Sequence, residues 1–311
     1  MGLGTSSLGF GLDLDGCRTV VHAALDAGIT FFDSADSYGV SEERLGQLLH
    51  GHRDDVVIAT KFGEDVRRHG LSNGEDWGVR GSRRYITRAV ENSLRRLRTD
   101  WIDLYQLHRP DPATPIEETL GALTDLVRDG KIRYLGSSNL AGWQLADAEW
   151  TARARGLERF VSAQNEYSWL NRDADADIVP ALEHYRIGLL PYFPLAGGLL
   201  TGKYRRGAGV PDGSRIQQWG LESTLTDETF DVLERLDQFA LDRGLTLLDI
   251  AIGGLAAKPF VASVISGATS AEQVARNAAA ARWRPTSQDL SELDAITASS
   301  PATPVASKGK P

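Results

Sequence analysis

Cysteine is almost missing from this 311-residue chain. Cys17 stands alone, so neither an internal disulfide nor a thiolate metal cluster can form within it. Long apolar runs are also missing. No stretch of about 18 apolar residues occurs, and Met1-Gly2-Leu3-Gly4-Thr5 lacks the basic segment and apolar core of a signal peptide, which makes a cytoplasmic protein the expectation. Basic charge is in deficit, 34 Lys and Arg against 42 Asp and Glu, and the net charge of −8 argues against nucleic acid or an anionic membrane as the main partner. The local run Arg95-Arg96-Leu97-Arg98 reads as a solvated helix face. Lysine is scarcer still: only Lys61, Lys131, Lys203, Lys258, Lys308 and Lys310 are present. An arginine keeps its charge at any working pH, whereas an ammonium can be tuned, so a lysine at a strand end invites a chemical question.

What is present is an ordinary globular composition, 41% hydrophobic and 24% charged, with enough length for a full core. Short apolar runs predict strands at 3–6, 30–33, 56–60, 102–107, 132–136, 160–164, 187–191 and 261–266. Helical periodicity lies between and after them, around 15–27, 41–51, 82–98, 116–129, 142–155, 174–185, 227–243, 246–257, 270–281 and 287–298. Eight strand and helix units predict an α/β fold, a (β/α)8 TIM barrel that forms a single domain over 1–298 in spite of a length that would also suit two domains. An open doubly wound sheet is disfavoured by the strand count and by the lack of an early glycine fingerprint. Insertions at 63–81 and 203–225 are expected to rise as lids over the C-terminal face, and 299–311 is expected to be a disordered tail.

One motif misleads and two others are missing. Gly197-Gly198-Leu199-Leu200-Thr201-Gly202-Lys203 fits seven positions of a nucleotide triphosphate loop, but Tyr204 stands where a magnesium-binding hydroxyl is needed. The six histidines, His22, His50, His52, His69, His108 and His184, have no zinc spacing, and no Gly-x-Ser-x-Gly elbow occurs.

Strand ends carry the chemistry. The second delivers Asp33 and, in its loop, Tyr38; the third ends in Lys61 and the fourth in His108. In a barrel these four converge at one mouth. An ammonium beside a phenol is expected to lower its pKa toward the working range, Asp33 would hold Lys61 charged, and His108 would orient a substrate oxygen. Each residue alone has a plain structural explanation, as a cap, a rim charge, packing or a satisfied loop histidine. All four together make a general acid for a carbonyl.

At this point the chain resembles the aldo-keto reductases. Gly28-Ile29-Thr30-Phe31-Phe32-Asp33-Ser34-Ala35 with Tyr38-Gly39 and Ser41-Glu42, then Ala59-Thr60-Lys61 and Leu107-His108, match the family's catalytic segments in order. The resemblance implies the tetrad Asp33, Tyr38, Lys61 and His108, and a nicotinamide cofactor. It assigns Ser138, Asn139 and Gln164 to the carboxamide and Tyr192 to stacking on the ring. Gly4 and Thr5, then Phe193, Pro194, Leu195, Gly197, Leu199, Lys203 and Arg215, are implied along the rest of the cofactor, with Lys203 and Arg215 at its phosphates. Gly267, Thr269, Gln273 and Asn277 are implied at the adenosine end. NADPH is the implied cofactor. NADH stays open, because many relatives carry Lys or Arg at the positions of Gly267, Thr269 or Gln273 and this chain does not; Arg276 does not match the usual position. Two further departures are Phe193, where several relatives have Ser, and a first strand that begins almost at Met1 without a preceding hairpin, as a shortened start would have. By loop position, Trp77, Trp143, Trp169 and Trp219, with Arg109, are candidate walls of a pocket for an aldehyde, ketone or sugar-derived carbonyl. The alternative is a nicotinamide-binding module of the same fold that senses redox state with little turnover.

Overall fold

The computed structural model describes residues 1–65 and 77–298. Eight strands are present: β1 (Gly2–Gly4), β2 (Phe31–Asp33), β3 (Val57–Phe62), β4 (Ile102–Leu107), β5 (Ile132–Ser138), β6 (Phe160–Gln164), β7 (Gly188–Leu189) and β8 (Ile265–Gly267). All pair in parallel, in the order β7-β6-β5-β4-β3-β2-β1-β8. The sheet also closes on itself. Leu189 N donates to Phe260 O at 2.7 Å, Ala262 N to Leu189 O at 2.9 Å and Ile265 N to Pro191 O at 3.0 Å, which joins β7 to the segment leading into β8. This is the α/β (β/α)8 barrel that the alternation predicts.

Helices α1 (Ser6–Phe10), α2 (Leu14–Asp26), α3 (Ser41–Leu48), α4 (Arg83–Leu97), α5 (Ile116–Arg128), α6 (Gly142–Arg155), α7 (Ile178–Tyr185), α8 (Arg215–Gln218), α9 (Asp227–Leu241), α10 (Leu247–Asp249), α11 (Ala271–Ala280) and α12 (Ser287–Thr297) complete the described residues. Side-chain caps set several starts: Asp13, Ser82, Thr226, Ser270 and Thr286 each accept an amide from the first turn. The expected strand 3–6 is shorter, because Ser6 already begins α1, and the expected strand 261–266 pairs at Val261 and then from Ile265. The insertion 203–225 is not featureless: it carries α8 and a short turn at Glu222–Thr224. Of the other insertion, 66–76 lies outside the described residues, as does the tail 299–311.

The main apolar core lies between strands and helices. Inside the barrel a second, small cluster of Ala59, Leu104, Leu190 and Ile265 packs with Phe31. Inward-facing positions one step further along the strands are polar: Asp33, Lys61, Gln106 and Gln164 are all buried. Gly136 makes room for this layer, since a Cβ there would stand 2.7 Å from Ser162 Oγ and 2.8 Å from Gln106 Cγ. A buried polar layer is costly unless each member is partnered, so its hydrogen bonds define the site.

Candidate active site

Lys61 is fully buried, and its Nζ donates to Asp33 Oδ2 at 2.6 Å and to the Ser34 carbonyl at 2.8 Å. Asp33 Oδ1 accepts from Gln164 Nε2 at 2.8 Å and Gln106 Nε2 at 3.1 Å. The carboxylate thus receives three side-chain donors, and the ammonium is compensated without solvent. Above this pair, Lys61 Nζ lies 5.0 Å from the centroid of the Tyr38 ring, and the His108 ring meets Tyr38 edge-on at 5.9 Å. The structure therefore brings Asp33, Tyr38, Lys61 and His108 to one place, from β2, its following loop, β3 and the end of β4.

One expectation is corrected. Lys61 does not draw the phenol's pKa down here. Loss of solvent, then the charges of Asp33 and Glu64, push the Tyr38 pKa above its ordinary range, with Arg109 opposing them. The physical reason is that the Lys61 charge is already committed to Asp33 at 2.6 Å. The Tyr38 hydroxyl is consequently held protonated.

Two residues of the site are absent from the sequence reading. Gln106 sits in register with Lys61 and two residues before His108, so strand alternation alone aims it inward; an amide at an interior position was the available signal. Glu64 follows the positive-φ turn at Gly63 and has no local signature. It reaches His108 Nδ1 at 3.2 Å and Arg109 Nε at 3.3 Å, and accepts from Ser37 Oγ at 3.3 Å.

The residues expected at the cofactor are distributed as follows. Asn139, at φ +60°, donates through Nδ2 to the His108 carbonyl at 3.0 Å and to Ser138 Oγ at 2.9 Å, and its Oδ1 accepts from the Tyr192 hydroxyl at 2.7 Å. Ser138 Oγ in turn donates to the Gln164 carbonyl at 2.8 Å. Ser138, Asn139, Gln164 and Tyr192 are therefore one network that touches His108. Thr5, next to Gly4 at the end of β1, is buried; its Oγ1 donates to the Asp33 carbonyl at 2.9 Å. Phe193, also at positive φ, packs edge-on between Tyr192 and Trp219, and leads through Pro194 and Leu195 into the turn Ala196–Thr201, where Gly197 and Gly198 have positive φ and Leu199 is buried. Beyond it lie Lys203 and Arg215, and partial burial together with the Arg215 charge lowers the Lys203 pKa. At the end of β8, after Gly267, the Thr269 amide donates to Gln273 Oε1 at 2.9 Å, while Asn277 is buried and donates to Ser266 Oγ at 3.1 Å.

The tryptophans separate. Trp169 is core, its Nε1 donating to Ile250 O at 2.9 Å beneath Arg172 and Lys258. Trp77 is buried against Tyr85, Trp143 is exposed on α6, and Trp219 packs on Phe193 beside Arg215.

A model of the aldo/keto reductase family matches residues 1–298. The chain belongs to the aldo/keto reductase family. It is 35% identical over 283 residues to a Bacillus subtilis protein named uncharacterized oxidoreductase YrpG, covering 88% of this chain and 84% of that one. It is 33% identical over 279 residues to the L-glyceraldehyde 3-phosphate reductase of Escherichia coli, 85% of this chain and 78% of the other. It is also 32% identical over 323 residues, 96% and 95% of the two chains, to a rice protein named probable voltage-gated potassium channel subunit beta. This aldo/keto reductase is a nicotinamide-dependent oxidoreductase acting on carbonyl groups. No helix among its described residues is long and apolar enough to cross a membrane.

The site's own chemistry fits such a cofactor. Hydroxyl and amide groups of Ser138, Asn139 and Gln164 can match the donors and acceptors of a carboxamide, and Lys203 with Arg215 offers an anion two cations that have no carboxylate partner among the described residues.

Proposed function

We propose that this aldo/keto reductase uses NADPH to reduce an aldehyde or ketone, sugar-derived carbonyls included, to the alcohol, with Tyr38 as general acid and Asp33, Lys61 and His108 completing the tetrad. The bound cofactor supplies hydride; the rest is the work of the chain. Tyr38 holds its proton at rest, and an alkoxide is a stronger base than a phenolate, so a phenol with a raised pKa still gives its proton to an oxygen that is acquiring charge. Lys61 then faces the phenolate that forms, at 5.0 Å from the ring centroid, and Asp33 fixes Lys61 in place through their 2.6 Å ion pair. His108, edge-on to Tyr38, shares the substrate oxygen and orients it. The observation that carries this reading is the buried Lys61 and Asp33 pair lying against Tyr38, whose ring in turn meets His108 edge-on.

Ser138, Asn139, Gln164 and Tyr192 would hold the nicotinamide end, the segment from Phe193 to Lys203 with Arg215 the phosphates, and the loop Gly267 to Asn277 the adenosine end. Arg109, half-exposed and next to His108, suits a polar or anionic substituent on the substrate, in keeping with the similarity to a reductase of a phosphorylated aldehyde. A cytoplasmic setting, where NADPH is supplied, completes the reading. The similarity to a channel beta subunit keeps a second reading, a redox-sensing module with little turnover.

Fluorescence titration with NADPH and with NADH, followed by a panel of aldehydes and ketones, separates the two. Tight NADPH binding with turnover supports the reductase. NADPH binding without turnover across the panel supports the sensor, and no binding of either nucleotide sinks both.

A further inference from the structure

His108 is held from several sides. Its amide donates to Phe62 O at 2.8 Å, its carbonyl accepts from Asn139 Nδ2 at 3.0 Å, and its ring lies against Tyr38. The ring's Nδ1 lies 3.2 Å from a carboxylate oxygen of Glu64, a residue itself almost wholly buried. A carboxylate at ion-pair distance favours a proton on Nδ1 over a bare nitrogen there, and a neutral ring of that tautomer leaves Nε2 bare, an acceptor that repels a carbonyl oxygen. A ring that donates to the substrate oxygen from Nε2 must carry both protons.

We propose that Glu64 is a positioning residue that keeps His108 as the doubly protonated imidazolium, so that Nε2 donates to the substrate oxygen and loss of this second proton sets the upper pH limit of the reaction. The proposal rests on the reading that His108 orients the substrate. Groups facing the ring act in both directions. Glu64 comes from the loop after β3, Tyr38 from the loop after β2, Lys61 lies behind Tyr38 with Asp33 paired to it, and Arg109 is the next residue in the chain. Arg109 opposes a second proton on the ring, but its own Nε lies 3.3 Å from Glu64 Oε1, so one carboxylate serves both cations. Ser37 Oγ donates to Glu64 Oε2 at 3.3 Å and ties this arrangement to the loop that carries Tyr38. Glu64 also raises the Tyr38 pKa, so activity against pH cannot by itself separate the ring from the phenol.

The test therefore reads the ring directly. Histidine labelled with nitrogen-15 in wild type and Glu64→Gln is titrated by NMR without cofactor or substrate, with His108→Asn assigning the resonance. The expected result is a His108 midpoint lower in Glu64→Gln by about 1 unit or more, as loss of a carboxylate at contact distance requires, with the fall of kcat/KM at high pH moving the same way. Glu64→Asp should restore most of the shift, and Glu64→Ala replaces Glu64→Gln if that variant does not fold. Equal midpoints in wild type and variant overturn the proposal, as does a kcat/KM lowered equally at every pH. A shifted midpoint in a protein that reduces no carbonyl leaves the charge assignment standing and removes the role of His108 in substrate orientation, so the two failures are distinguishable.

Discussion

Lys61→Met keeps the aliphatic length of the side chain and removes only the ammonium. In the wild type that ammonium donates to Asp33 Oδ2 at 2.6 Å, and both side chains are within a few per cent of complete burial. The variant leaves Oδ2 without its donor, while Oδ1 keeps Gln164 at 2.8 Å and Gln106 at 3.1 Å. Stranding one member of a buried ion pair costs about 3–5 kcal/mol, and no discount for solvent screening applies at this burial. The two remaining amide donors place the expected loss at the lower end, about 3 kcal/mol, or roughly 5 °C in melting temperature for a chain of this length. Urea unfolding of Lys61→Met at pH 5 and pH 8, with the double variant Lys61→Met/Asp33→Asn, checks the reasoning. The double variant should recover more than half of the loss at pH 8. A deficit below about 1 kcal/mol, or a double variant no more stable than Lys61→Met, refutes it.

Three further outcomes are expected. In Gly9→Ala the new Cβ would lie 1.8 Å from the Tyr38 carbonyl, so the loop carrying Tyr38 must move; kcat should fall on the order of 100-fold with NADPH affinity retained, and an unchanged kcat contradicts the packing. Asp36 is buried, no side chain among the described residues donates to its carboxylate, and burial, then the Glu42 charge, holds its pKa well above the carboxylate range. The folded state thus keeps a proton that the unfolded chain releases above about pH 4, which makes Asp36 a growing liability as pH rises. Asp36→Asn should therefore raise the melting temperature at pH 8 more than at pH 5, and an equal or reversed effect refutes the neutral state. Lys203→Ala should weaken NADPH binding about 10-fold by removing a charge-assisted contact, read by fluorescence titration; an unchanged Kd removes Lys203 from the phosphate site.

The barrel was legible because each strand is a short apolar run and each helix an amphipathic period, and the parallel pairing of all eight follows from that alternation. Its edges were less so. β7 is only Gly188–Leu189, and closure depends on backbone bonds from Leu189 and Pro191 to 260–265, which no side-chain pattern encodes. Within the site, Asp33, Lys61 and His108 were readable as polar residues at strand ends. Gln106 was readable in principle, because it alternates with Leu104 on the inward face of β4. Glu64 was not, since its importance arises from β4 bringing His108 and Arg109 to the loop after β3. Trp169 shows the opposite failure: a loop tryptophan resembles a pocket wall until Arg172 and Lys258 are found stacked on it in the core.

The central claim is that Tyr38 gives the proton. Its most direct measurement is single-turnover hydride transfer in Tyr38→Phe with saturating NADPH and a carbonyl substrate that the wild type reduces. The expected rate is lower by about 100-fold to 10,000-fold, the usual worth of a positioned acid, with the NADPH Kd within about twofold of wild type. A rate within a few-fold of wild type would contradict it.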